Sequence, residues 1–340
     1  MAGLATTAST LVAPTLAAPG AMQINNAHLV DELAAVTRGY ASLFWTVSPT
    51  LMRPLLVNHY DLLTTNIGHS PSNRRHLLGL AAGTARLAGL AAYDDDDLGS
   101  ARRLFVLGAN LAREAGDSAL LGAILVAHRS VVSLTQHGDG GDRTAGVQAI
   151  SLLDHAADAV GTTGPAMVNA MILCARAEEY AALKQADAAL TDLDRAYAAL
   201  AHTRSDTTAP PIGLLTTWDE SRLDNYRASC LLYLDRATDA AELLEAQVIP
   251  IIPDHMAQPR CAALGNLASA YALGSEPEKS ASIAIEALAT ARRVGLADGE
   301  KRIRRVRRQL EQWSDLAPVR ELDERLVDSS STIVPDEETP

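Results

Sequence analysis

The chain has 340 residues, 48% hydrophobic but only 4% aromatic, and carries a net charge of −12. An apolar content made mostly of Ala, Leu and Val favours close-packed helices over a β-sandwich, whose strands want β-branched and aromatic residues. The acidic balance argues against a nucleic-acid surface over most of the chain.

Length alone would suggest about two domains. A repeat architecture escapes that rule, because each repeat touches only its neighbours and needs no single core. Three cysteines, Cys174, Cys230 and Cys261, are odd in number and far apart, which fits neither a disulfide framework nor a zinc site. Buried free thiols in a reducing cytoplasm are expected. Lys184, Lys279 and Lys301 are the only lysines, an arginine bias read as base composition of a GC-rich genome. No uninterrupted apolar run reaches the roughly 18 residues that span a bilayer, so no membrane partner is expected.

In chain order, residues 1–26 read as a disordered linker. The stretch is Ala/Thr/Leu-rich like a signal peptide, but it lacks a basic n-region and is broken by Pro14 and Pro19. Leu29, Leu33, Val36, Tyr40, Leu43 and Phe44 write an amphipathic helix over 28–46. Ser48-Pro49 starts a second helix ending near Gly68, and Ser70-Pro71 starts a third through about Ala92. An acidic turn, Asp94 to Asp97, leads into a helix from Leu98 to Ala115 that stops at Gly116. Helices are then expected near 118–136, 143–160, 165–183 and 186–201. An irregular segment at 202–214 contains Pro210-Pro211. Further helices are expected near 217–235, 237–249, 258–273, 277–294, 297–313 and 316–327. No segment alternates in the manner of a strand. The end, 329–340, is polar, acidic and expected to be disordered, which leaves 27–328 as the helical domain.

A short helix-pair signature recurs through that domain. It is clearest at Ala177, Tyr180, Ala189, Leu193 and Ala196, and returns at Leu264, Leu267, Ala268, Tyr271, Ser280 and Ala287. Looser copies are Ala228, Leu231, Ala240, Leu244 and, earlier, Gly89, Ala92, Ala101, Phe105, Gly108. This is the spacing of a tetratricopeptide-like unit, in which small residues let two antiparallel helices approach and larger ones fill the gap to the next pair. The expected fold is all-α, a right-handed α-solenoid of antiparallel helix pairs.

From Leu98-Gly99-Ser100-Ala101-Arg102 and Leu111 to Asp117, the chain resembles the tetratricopeptide-like sensor half of Xre-type helix-turn-helix regulators of high-GC Gram-positive bacteria. Leu267 to Tyr271, Ile285 to Leu288 and Pro318 to Leu322 follow in the order those proteins show. The resemblance covers about residues 28–328. It implies a sensor module linked to transcriptional regulation, with a peptide or protein partner or a DNA-binding regulator. Those regulators carry a DNA-binding domain in front, and the residues that would form one are not in this sequence. The expectation is therefore a freestanding sensor or a product with a shortened start, and DNA binding does not carry over.

Other motifs are weighed on their chemistry. The run Lys301, Arg302, Arg304, Arg305, Arg307, Arg308 could contact a phosphate backbone. Its helix keeps an apolar stripe of Ile303, Val306, Leu310 and Trp313, and Glu300, Glu311 and Asp315 are close by, so a solvated face with acidic neighbours is the favoured reading. Four adjacent aspartates at 94–97 lack calcium-loop spacing and suit the start of a helix. The nine histidines are single, and there is no HExxH, nucleophile elbow, phosphate loop or dinucleotide fingerprint. Neither an enzyme activity nor a cofactor or metal is expected. A groove remains, formed by the first helix of each pair. The repeat register assigns to it Arg86 and Tyr93, then Met171, Cys174 and Glu178, then Arg222, Asn225 and Ser229. Asn225 matters most, since an amide can both donate to and accept from a peptide backbone. The expected protein is a cytoplasmic binding module, and a homodimer is compatible with that reading.

Overall fold

The computed structural model describes residues 27–68, 70–133, 143–203 and 220–327. The expected linker, acidic tail and most of the irregular segment after α8 lie outside them. Among the described residues there are fourteen α-helices and no strand. They are α1 Ala27–Leu43, α2 Pro49–Ile67, α3 Arg74–Asp94, α4 Leu98–Ala115, α5 Ser118–Val132, α6 Arg143–Val160 and α7 Ala166–Ala182. Then come α8 Ala186–Thr203, α9 Glu220–Tyr233, α10 Ala237–Leu243, α11 Ala257–Leu273, α12 Pro277–Val294, α13 Ala297–Gln309 and α14 Ala317–Val327.

The main departure from expectation is the helix anticipated over 237–249. It ends as α10 at Leu243, loosens into a π-turn over Leu244–Val248 and finishes as a 3-10 turn, Ile249–Ile251. Pro250 explains the ending: it has no N–H for the carbonyl four residues back, and its ring crowds that carbonyl. The helix expected over 297–313 likewise closes at Gln309, with a 3-10 turn at Glu311–Trp313.

The helix ends obey a rule. In the turns α3–α4, α7–α8, α9–α10 and α11–α12 a non-glycine residue is left-handed: Asp96, Lys184, Asp235 and Ser275, with φ of 67°, 62°, 61° and 62°. In each, the next N–H reaches five residues back, Asp97 to Ala92, Gln185 to Tyr180, Arg236 to Leu231 and Glu276 to Tyr271, at 2.8–2.9 Å. This is the Schellman closure of a helix end. The joints α4–α5, α6–α7 and α12–α13 place a glycine at the left-handed position, Gly116, Gly161 and Gly295.

The small-residue signature sits between paired helices. Ala101, Phe105, Ala177, Ala189, Ala196, Ala228, Ala240, Leu244, Ala268, Ser280 and Ala287 have no exposed surface. A Cβ on Gly89 would lie 2.6 Å from the Phe105 ring, so glycine is what admits that ring between α3 and α4. Gly108 also lets α4 approach α3, since a Cβ there would meet the Ala82 carbonyl oxygen at a tight 3.2 Å.

The odd-numbered helices touch one another in succession: α3 with α5, α5 with α7, α7 with α9, α9 with α11, and α11 with α13. The even-numbered helices pack against these, and α1 and α2 pack on α3. The odd helices therefore form one continuous layer, here called inner, with the even helices against it. The stack curves far enough for α13 to touch α3. The inner helices close into a ring.

Candidate binding surface on the inner face of the ring

Polar side chains gather where the inner helices meet. Arg129, on the largely apolar α5, is 4% exposed and reaches α7, donating to Glu179 at 2.7 Å and to Glu178 at 2.8 Å. Glu179 is fully buried and also accepts from the Ser133 hydroxyl. Burial pushes its carboxyl pKa up, while Arg129 and Ser133 pull it back towards the charged form. The Arg129 guanidinium lies 6.0 Å from the Tyr226 ring on α9.

From α9 a second network runs to α11 and α13. The Asn266 amide donates to Ser229 at 3.0 Å and to Asn225 at 3.3 Å, and Asn266 accepts from Arg302 at 3.3 Å. Arg302 can lie across α11 because residue 265 is glycine; its Cδ would be 2.5 Å from a Cβ there. Arg222, one turn before Asn225, places its guanidinium 4.6 Å above the Trp45 ring, in the turn after α1. On α3, Arg86 is 7% exposed and donates from Nε to the Ala123 carbonyl at 3.2 Å. Burial and the neighbouring Arg222 push its pKa down to about 10.

The expected groove is thus partly assembled. Glu178, Arg222, Asn225 and Ser229 come together on α7 and α9, joined by residues the repeat register did not name: Arg129, Tyr226, Asn266, Arg302 and Trp45. Tyr93 is half-buried at the far end of α3, near Asp298 and Arg302 of α13. Two assignments are corrected. Met171 is 2% exposed and packs in the apolar core with Leu120, Ile124 and Val168, and Cys174 is buried in the core between α7, α8 and α9. The register that put them in the groove was one helix face off, because α7 is apolar on the sides that meet both α5 and α8. An arginine set within an apolar run, as at 86 and 129, was the available signal for the polar cluster.

The acidic turn does more than start a helix. Only Asp97 caps α4, accepting from the Ser100 N–H at 2.9 Å. Its hydrogen bonds with Ser100, together with Arg53, hold its carboxyl well below the usual carboxylate range. Asp95 takes the Thr50 hydroxyl at 3.0 Å. Asp94 accepts from Gln258 on α11, and Asp96 pairs with Lys301 on α13. Asp95 and Asp97 thus share Arg53 of α2, while Asp94 and Asp96 reach across to α11 and α13. Among the described residues no cluster of His, Cys, Asp or Glu has the makings of a metal site.

The basic run is largely committed within the chain. Besides Lys301 and Arg302, Arg307 clamps Asp323 of α14 at 2.6 and 2.8 Å, and Arg304 donates to the Leu326 carbonyl. An open notch of about 600 Å³ lies elsewhere, between the start of α3 and the α4–α5 turn. Its arginine, Arg75, is tied to the Ala115 carbonyl at 2.8 Å, and nothing buried and polar is aimed into it, so the inner face is the stronger candidate. No helix among the described residues is long and apolar enough to cross a membrane. No protein-family model matches the chain, and no curated protein matches it.

Proposed function

We propose that this chain is a non-enzymatic, tetratricopeptide-like sensor or scaffold module that binds a peptide or protein partner on the inner face of its helix ring. The observation that carries the reading is the meeting of Asn225 and Ser229 with Asn266, with Arg222 one turn away on Trp45, which gathers donors and acceptors around two half-buried side chains, Arg222 and Asn225, above buried Ser229 and Asn266. A peptide backbone needs both, and side chains held by their neighbours lose little further freedom on binding. The buried small-residue signature supports the repeat assignment, and the resemblance to Xre-type sensor halves supports a place in transcriptional regulation. Arg304 and Arg307 of α13 are occupied by α14 and by acidic neighbours, which speaks against a DNA contact.

The test begins with a partner recovered by pull-down from native cell extract. Asn225→Ala and Arg222→Ala are each expected to weaken its binding by about 0.5–3 kcal/mol, the range for hydrogen bonds whose partner is left unsatisfied. Because both residues also touch Asn266 or Trp45, thermal unfolding of each variant is measured alongside. Partner binding at parental strength by both variants would remove the inner face at α9 from consideration.

A further inference from the structure

We propose that the joint between α3 and α13 is a gate, through which the ring opens into a C-shaped stack and admits its ligand to the inner face. The inference rests on the binding reading for its purpose, but its geometry stands alone. Every other joint between inner helices is tied by chain connectivity through an outer helix. The α3–α13 joint has no such tie, since more than 200 residues of sequence separate its sides (Asp96 and Lys301).

Apolar burial does not hold it either. The described residues form seven apolar clusters, and none draws residues from both the α1–α5 side and the α11–α14 side. What crosses the seam is polar. Asp94 accepts from Gln258, Asp96 pairs with Lys301, and Gly295 lies close to the Ser48 hydroxyl. The Asp96–Lys301 side chains are 37% and 53% exposed, and exposed ion pairs contribute little to stability and are screened by salt. Asp94 faces Asp298 across the seam, a like-charge pair that weakens closure when both are ionised. Behind the seam Arg222 of α9 also stacks on Trp45, and a joint held by these contacts separates without dividing any of the apolar clusters. The acidic turn itself stays on the α2–α3 side when the seam opens, anchored by Arg53 and Thr50.

The experiment is a distance measurement by fluorescence energy transfer on the full chain. Labels go on Gly99→Cys at the start of α4 and Arg308→Cys near the end of α13. The native cysteines are buried and do not compete for label. At low salt the labels should report one short distance. Raising salt on the otherwise parental chain should lengthen and broaden it, and Lys301→Asp should do so at low salt. The charge swap Asp96→Lys with Lys301→Asp should restore the short distance, with circular dichroism unchanged throughout. A short distance that neither high salt nor Lys301→Asp alters would overturn the gate, and the salt arm decides should Lys301→Asp fold poorly. Opening without any partner binding would instead keep the gate and remove the function proposed for it.

Discussion

His59 is 5% exposed, and its Nε2 lies 2.9 Å from the Thr37 hydroxyl, which itself donates to the Leu33 carbonyl at 3.0 Å. With that hydroxyl proton in use, the neutral ring supplies the donor. Burial lowers the imidazole pKa below its ordinary 6.5. Above 6.5 the imidazole is neutral in both folded and unfolded chains and costs nothing. As pH falls below 6.5 the unfolded chain takes up a proton that the folded chain resists, so stability is lost from there down to the folded pKa. The urea midpoint should therefore drop as pH is lowered from 7 through this window. His59→Gln keeps a donor for Thr37 and does not titrate, so its midpoint should drop less. His128, also lowered by burial and by Arg102, adds to the slope in both proteins. Equal slopes in parent and variant would show that the His59 site is not closed to the proton.

At the scale of the element, α13 shows how a charged helix can be structural. Arg307 holds α14 through Asp323, Arg302 lies over Gly265 of α11, and Ile303 and Val306 fill the core. Neutralising Arg304, Arg305 and Arg308 together should leave duplex-DNA affinity weak and its salt slope unchanged. A discrete complex of the parent chain in a mobility-shift assay, lost in the triple variant, would make these residues phosphate contacts. Helix positions were legible in the sequence because apolar spacing, Pro at helix starts and Gly at several stops act within a few residues. The ends at Lys184, Asp235 and Ser275 carried no such mark, since non-glycine residues take the left-handed conformation there. On α7 the spacing misled: with apolar residues on two faces, it could not say which turned inward, and Met171 and Cys174 were misassigned. Arg222, Asn225 and Ser229 share one face of α9, while Leu223 and Cys230 pack towards α7 and α8 and Ala228 and Leu231 towards α10 and α11.

Closure of the whole molecule was not legible, because it depends on small rotations summed over all the helix pairs. Asp94 to Asp97 read locally as charges at a helix start, while the partners of Asp94 and Asp96 lie far along the chain, at Gln258 and Lys301. In the proposed reading, closure turns the groove into an inner face that holds Arg222, Asn225, Tyr226 and Arg302. The central claim is that partner specificity resides there. The most direct test replaces Tyr226, on the inner face, with the larger photo-crosslinking residue benzoylphenylalanine, circular dichroism checking the fold, and separately replaces Leu107, 44% exposed on outer helix α4. Irradiation in native extract should crosslink a partner through position 226 and not through 107. Crosslinking of a partner through 107 with none through 226 would place recognition on the outer surface and contradict the account.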